Sequence, residues 1–142
     1  MGELSHTREA GGGDRKVRLV VVAAVALVTL PAWATEDCPF PISDHEHINA
    51  ALSSAATCHA AAELFSACAL GAGGDVARAA LVQQRCEKDF LKGLSSASKR
   101  SYKAELARCW QQGKNNGSMY RAMAAGCAVS VAEDYSRRVK PH

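Results

Sequence analysis

A chain of 142 residues has room for one domain of ordinary size and little more. Its net charge of +3 hides an uneven distribution: Thr35 to Ala77 holds six acidic residues and no Lys or Arg, whereas Arg78 onward holds thirteen basic residues against five acidic ones. The basic half shows no aromatic residues interleaved as a base-stacking platform, which together with the export signal below argues against a nucleic-acid surface, and charge pairing across one bundle accounts for the asymmetry, although exposed pairs contribute little.

The N-terminal part reads as an export signal. Lys16 and Arg18 precede an apolar run from Leu19 to Leu30, followed by Pro31 and by small residues flanking Trp33. This pattern predicts a secretory signal peptide over residues 1–34, cleaved after Ala34, and a mature domain over residues 35–142. This twelve-residue run, apolar but for Thr29, is too short for a membrane anchor, since a spanning helix needs about 20 residues. Cys38 follows Thr35-Glu36-Asp37 with no lipobox, so no lipid anchor is expected. The leader before Lys16 is long for a signal peptide, which fits a start downstream of Met1. The expected location is the periplasm or the cell exterior.

All six cysteines (Cys38, Cys58, Cys68, Cys86, Cys109 and Cys127) lie in the mature part. An even count behind an export signal predicts three disulfides. No pair has the Cys-x-x-Cys spacing of a zinc knuckle or a thioredoxin-type site.

In the mature chain, Cys38-Pro39-Phe40-Pro41 is expected to run extended, because proline lacks the N–H that a helix interior needs. Ser43 or Asp44 then reads as an N-cap, with Glu46 in the first turn. Ile48, Leu52, Ala55, Ala62 and Phe65 recur at helical spacing up to the Gly71–Gly74 turn. Asp75 is expected to cap a second helix carrying Val76, Ala79, Cys86, Phe90 and Leu94, which ends at Gly93 and Ser95–Ser98. A third presents Tyr102, Leu106, Cys109 and Trp110. After a turn at Gly113–Gly117, Ser118 is expected to cap a fourth with Tyr120, Met123, Cys127, Val131 and Tyr135 in register. No stretch alternates with period two. The predicted fold is therefore all-α, a small disulfide-stapled bundle of about four antiparallel helices, with Leu52, Phe65, Phe90, Leu106, Trp110, Met123 and Val131 buried.

Connectivity stays open at this level. Cys58 and Cys86 come level when counted outward from Gly71–Gly74. Pairing Cys109 with Cys127 leaves Cys38 with Cys68, a bond barred by a continuous first helix of near 40 Å, at about 1.5 Å per residue. Either that helix breaks around Ser53-Ser54 or one pairing differs.

The run Asp44-His45-Glu46-His47 invites a metal reading, but His45 and His47 point apart on a helix, whereas a helical metal pair uses i, i+4 spacing. No metal or cofactor is expected. Nucleophile elbow, phosphate loop and dinucleotide fingerprint are all lacking. Glu63, Glu87, Asp89 and Glu105 fall at polar helix positions and read as solvated surface acids. An enzyme is not expected.

Between Leu94 and Val139 stand Leu94-Ser95-Ser96-Ala97-Ser98-Lys99-Arg100, a helix closing on Ala107-Arg108-Cys109, a polar loop ending Gly117-Ser118-Met119, and Ala124-Ala125-Gly126-Cys127 before a basic helix end. This third of the chain resembles the LprI-type family of small exported bacterial lysozyme inhibitors. Tyr102 and Leu106-Ala107-Arg108 stand where that family has a Trp and an Arg-Asp step. The chain is also similar to other exported bacterial proteins with Arg-Cys-Glu-x-Asp-Phe-Leu and Gly-x-Met-Tyr-Arg, here Arg85–Leu91 and Gly117–Arg121. The resemblance implies a protein-binding inhibitor. For a cationic partner such as lysozyme, the expected contact residues are Asp44, Glu46 and Glu63. The alternative is a structural or stress-related envelope protein with no enzyme target.

Overall fold

The computed structural model describes residues 37–114 and 116–139, so the predicted signal peptide and its cleavage site lie outside the described residues. Five α-helices form where four were expected: α1 (His45–Ser54), α2 (Cys58–Cys68), α3 (Asp75–Phe90), α4 (Ser96–Gln112) and α5 (Gly117–Arg138), with a 3-10 turn at Leu91–Gly93 after α3. No strand occurs among the described residues.

The extra helix arises because the first predicted one is broken at Ala55–Thr57. Ser53 and Ser54 turn their hydroxyls back onto the carbonyls of Asn49 and Ala50, each at 2.8 Å, which loosens the end of α1. Thr57 then caps α2 by accepting from the Ala60 N–H at 3.1 Å. The groups freed by the break are taken up by α3. Arg85 Nε donates to the Ala55 carbonyl at 2.6 Å and its Nη2 to the Ala56 carbonyl, while Asp89 accepts from the Cys58 N–H at 3.0 Å. Arg85 and Asp89 also pair with each other at 2.6 Å. The Arg85–Asp89 step of the sequence motif is thus a clamp on a helix break thirty residues upstream.

The break also decides the disulfides. With α1 and α2 separate, Cys38 reaches Cys68, with Cα atoms 4.7 Å apart. Cys58 pairs with Cys86 and Cys109 with Cys127, leaving no free cysteine. Three disulfides mark maturation in an oxidising compartment.

Helix α5 packs against α3 and α4, and α1 and α2 lie on α3. Phe90, Tyr102 and Tyr135 form the aromatic centre, with Phe90 edge-on to Tyr102 at 5.1 Å between centroids and Tyr102 5.0 Å from Tyr135. The two tyrosine hydroxyls need partners when the rings are buried. Tyr102 donates to Glu87 at 2.9 Å and Tyr135 to Glu105 at 2.7 Å. Burial, followed by the bond to Glu87, pushes the Tyr102 phenol upward, so it stays neutral. Glu87, Glu105 and Asp89 are therefore structural acceptors rather than the solvated acids expected, and Glu63, 62 % exposed, stands 3.2 Å from the His59 ring.

Leu52, Phe65, Phe90 and Leu106 are buried as predicted, and Trp110 and Val131 pack at the core margin. Met123 does not: it is 63 % exposed. The inward face of α5 is instead Ala124, Ala125, Ala128, Val129, Ala132 and Tyr135. Small side chains win there because neighbouring backbone comes too close for larger ones. A Cβ on Gly113 would lie 2.9 Å from that of Ala124 and 3.1 Å from the Tyr120 carbonyl. Two caps differ as well. Gly74, not Asp75, precedes α3, and α5 begins at Gly117 after Asn116, with Ser118 inside the helix.

Candidate functional site

Of the acids in the first segment, Asp44 and Glu46 stand at the start of α1, Glu63 lies on α2, and Asp37 belongs to the strap (residues 37–41) that precedes them. Asp44 is the N-cap of α1, accepting from the His47 N–H at 3.2 Å and pairing with the His47 ring at 2.8 Å. These bonds hold its carboxyl below the usual range. Glu46 is exposed in the first turn of α1. The two histidines of this run diverge: His47 turns to Asp44, whereas His45 Nδ1 accepts from Arg78 Nη2 at 3.0 Å.

Glu63 lies on α2, 62 % exposed, beside an open groove lined by Asp37, Pro39, Ala60, Glu63, Leu64 and Ala67. The groove exists because the Cys38–Cys68 disulfide lays the strap along α2. Its floor is apolar, and Asp37 and Glu63 supply carboxylates. Of the predicted contact residues, Glu63 alone lines this groove; Asp44 and Glu46 stand at the start of α1. Asp37 was not foreseen as a site residue. Its adjacency to Cys38 was visible, but which helix it would lie against depended on a disulfide pairing that sequence left open.

Two cations of α3 are engaged within the fold, while Arg137 of α5 lies close enough to His59 to act on it. Arg78 is 3 % exposed and donates to the Cys68 carbonyl and to His45. Arg85 is committed to the α1–α2 break. Asp75, 1 % exposed, accepts from the N–H groups of Leu70 and Ala72 at 3.0–3.1 Å and closes the turn before α3. A buried carboxylate is tolerable only when hydrogen-bonded in this way.

His59, one turn before Glu63, has Nε2 3.2 Å from Glu63 and Nδ1 2.8 Å from Glu133 of α5. The two carboxylates address opposite nitrogens of the ring and do not converge on one point. Among the described residues no group of three His, Cys, Asp or Glu side chains is arranged to hold a metal ion.

Fold and site together define a small disulfide-stapled helical domain with an acid-bordered groove. Comparison with protein-family models, curated proteins and solved structures gives no significant match to this chain. Among the described residues, no helix is long and apolar enough to cross a membrane.

Proposed function

We propose that the protein is an exported helical protein-binding module, working in the periplasm or outside the cell, whose α1–α2 side engages a cationic protein. Lysozyme is the partner class that the sequence resemblance indicates. The observation carrying this reading is the groove between Asp37 and Glu63, with Arg78 and Arg85 engaged within the fold. Such a groove suits a Lys or Arg side chain of the partner, its methylenes against Leu64 and its head near the carboxylates. Asp44 and Glu46 add to the field that steers encounter.

The test is association of the disulfide-bonded protein with cationic lysozymes, followed as binding rate and as residual muramidase activity. Charge reversal at Asp37 and Glu63 is expected to weaken binding, reversal at Asp44 and Glu46 to slow association, and changes at Lys99 and Arg100 to leave it unaltered. Salt should weaken the wild-type interaction, because screening acts over about 8 Å at physiological ionic strength. Absence of salt-sensitive binding to any lysozyme class rejects the reading. The second reading, an envelope protein without an enzyme target, draws on the Arg85–Leu91 motif, in which Arg85, Glu87 and Asp89 are all engaged in holding the fold.

A further inference from the structure

Where α4 turns into α5, three large apolar side chains stand in solvent: Met119, Tyr120 and Met123, at 58, 45 and 63 % exposure. Met119 and Met123 are one turn apart on the same helix face. Their exposure does not come from loose packing. Gly113 of the preceding turn is buried hard against the Tyr120 carbonyl and the Arg121 Cα, and the Cys109–Cys127 disulfide ties the two helices together. The Gly71–Gly74 turn abuts the same place, since a Cβ on Gly73 would lie 3.8 Å from Arg121 Nη2 and 4.0 Å from the Ser118 Cβ. That turn brings Leu70, 46 % exposed, to this end of the bundle.

Within the α4–α5 corner the charge is of one sign; the exposed acid Glu46 stands at the start of α1, next to His45, which meets Arg78 of α3. No acidic residue occurs between Glu105 and Glu133, while Arg108, Lys114 and Arg121 do. None of these three cations has an ion-pair partner among the described residues. The acid closest in sequence to the abutting turn, Asp75, is buried and spent on backbone N–H groups. Exposed methionines, a tyrosine and uncompensated cations therefore share one tip.

We propose that this tip is a reversible docking surface for an anionic phospholipid membrane, with Met119, Tyr120 and Met123 entering the headgroup layer and Lys114 and Arg121 meeting lipid phosphates. The occupant follows from charge and shape. Uncompensated cations call for an anionic surface. The apolar residues project from a helix start beside a tight turn, and a few such side chains fall well short of the roughly 1,200 Å² that a stable protein interface buries. A fluid bilayer surface conforms to a projecting tip, and its affinity sums apolar burial with attraction to anionic lipid. Tyrosine suits that layer because its ring is apolar and its hydroxyl stays wet. The acid-bordered groove, formed by α2 and the strap, is not part of the tip, so docking would leave it available.

The experiment is co-sedimentation of the exported, disulfide-bonded protein with vesicles of phosphatidylcholine alone or mixed with phosphatidylglycerol. Binding is expected to the mixed vesicles, to fall with added salt, and to be weak on the neutral ones. The Met119→Ser/Met123→Ser and Lys114→Glu/Arg121→Glu double variants are each expected to lower partitioning by about tenfold or more. Because all four side chains are solvent-exposed, both should keep the wild-type helical circular dichroism and melting temperature. Equal binding to neutral vesicles, binding to neither, or undiminished binding of the folded variants would overturn the proposal. So would self-association or capture of an acidic protein that the methionine variant abolishes without any effect on vesicles.

Discussion

The imidazole of His59 on α2 bonds the carboxylate of Glu133 on α5, Nδ1 to Oε1 at 2.8 Å, across 74 residues of sequence. Its other nitrogen faces Glu63 at 3.2 Å. A neutral imidazole has a single N–H, so donation to both carboxylates requires the protonated ring. The bond to Glu133 raises the His59 pKa above 6.5, Glu63 adds to the effect, and partial burial opposes it.

His59 should therefore titrate above 6.5 when followed by NMR, and Glu133→Gln should return it toward that value. Its charged form is favoured in the folded state, so its stabilisation is complete below pH 6.5 and is lost as pH rises through the raised value. The effect on melting temperature should be small, because the side chain is 62 % exposed. It should shrink in Glu133→Gln, where Glu63 alone still favours the charged ring. A native titration at or below 6.5 would rule out this arrangement.

Arg85→Ala should cost about 2–3 kcal/mol, since it removes charge-assisted bonds to the Ala55 and Ala56 carbonyls and leaves Asp89 without its cation. Loss should appear first as faster hydrogen exchange at Cys58 and Ala60, the N-terminal amides of α2. Lys88→Ala, at an exposed position on the same helix, should stay within about 0.5 kcal/mol of wild type. Equal denaturation midpoints for the two variants would refute the clamp.

Removing the Cys38–Cys68 disulfide as a double alanine variant should lower stability by about 2–5 kcal/mol. It should also release the strap from α2, taking Asp37 away from Glu63. Binding of a cationic partner should then weaken at temperatures where circular dichroism still reports full helix. Unchanged affinity in that folded variant would remove the groove from the proposed binding side.

Two glycine substitutions should move stability in opposite directions. Gly113→Ala places a methyl group 2.9 Å from the Ala124 Cβ and 3.2 Å from the Arg121 Cα, and should cost about 1–3 kcal/mol by overpacking. Gly74→Ala meets nothing within 4 Å and has an ordinary φ of −64°, so it should be stabilising by about 0.4–1 kcal/mol through the unfolded chain. Thermal melts of the two variants check both signs.

Sequence alone determined several features whose signals are local, although the caps of α3 and α5 fall at Gly74 and Asn116 rather than at Asp75 and Ser118. Asp44 and Ser95 accept from N–H groups three residues ahead, and Gly71 and Gly117 take φ values of +67° and +83°; such chemistry depends on near neighbours. The even cysteine count likewise needs no fold. Tertiary structure decided three other things. The helix break at Ala55–Thr57 was visible only as one of two ways out of a disulfide conflict, because Arg85 and Asp89, which satisfy its backbone, lie about thirty residues away. The inward face of α5 could not be chosen from spacing. The stripe through Tyr120, Met123 and Cys127 and the one through Ala124, Ala125 and Ala128 are both helical, and hydropathy favours methionine. Close approach of backbone at Gly113 reverses that preference and leaves the methionines in solvent. The groove is the third, because Asp37 meets α2 only once Cys38 is joined to Cys68. Each is a contact between distant segments, and local pattern carries no information about which distant backbone will arrive.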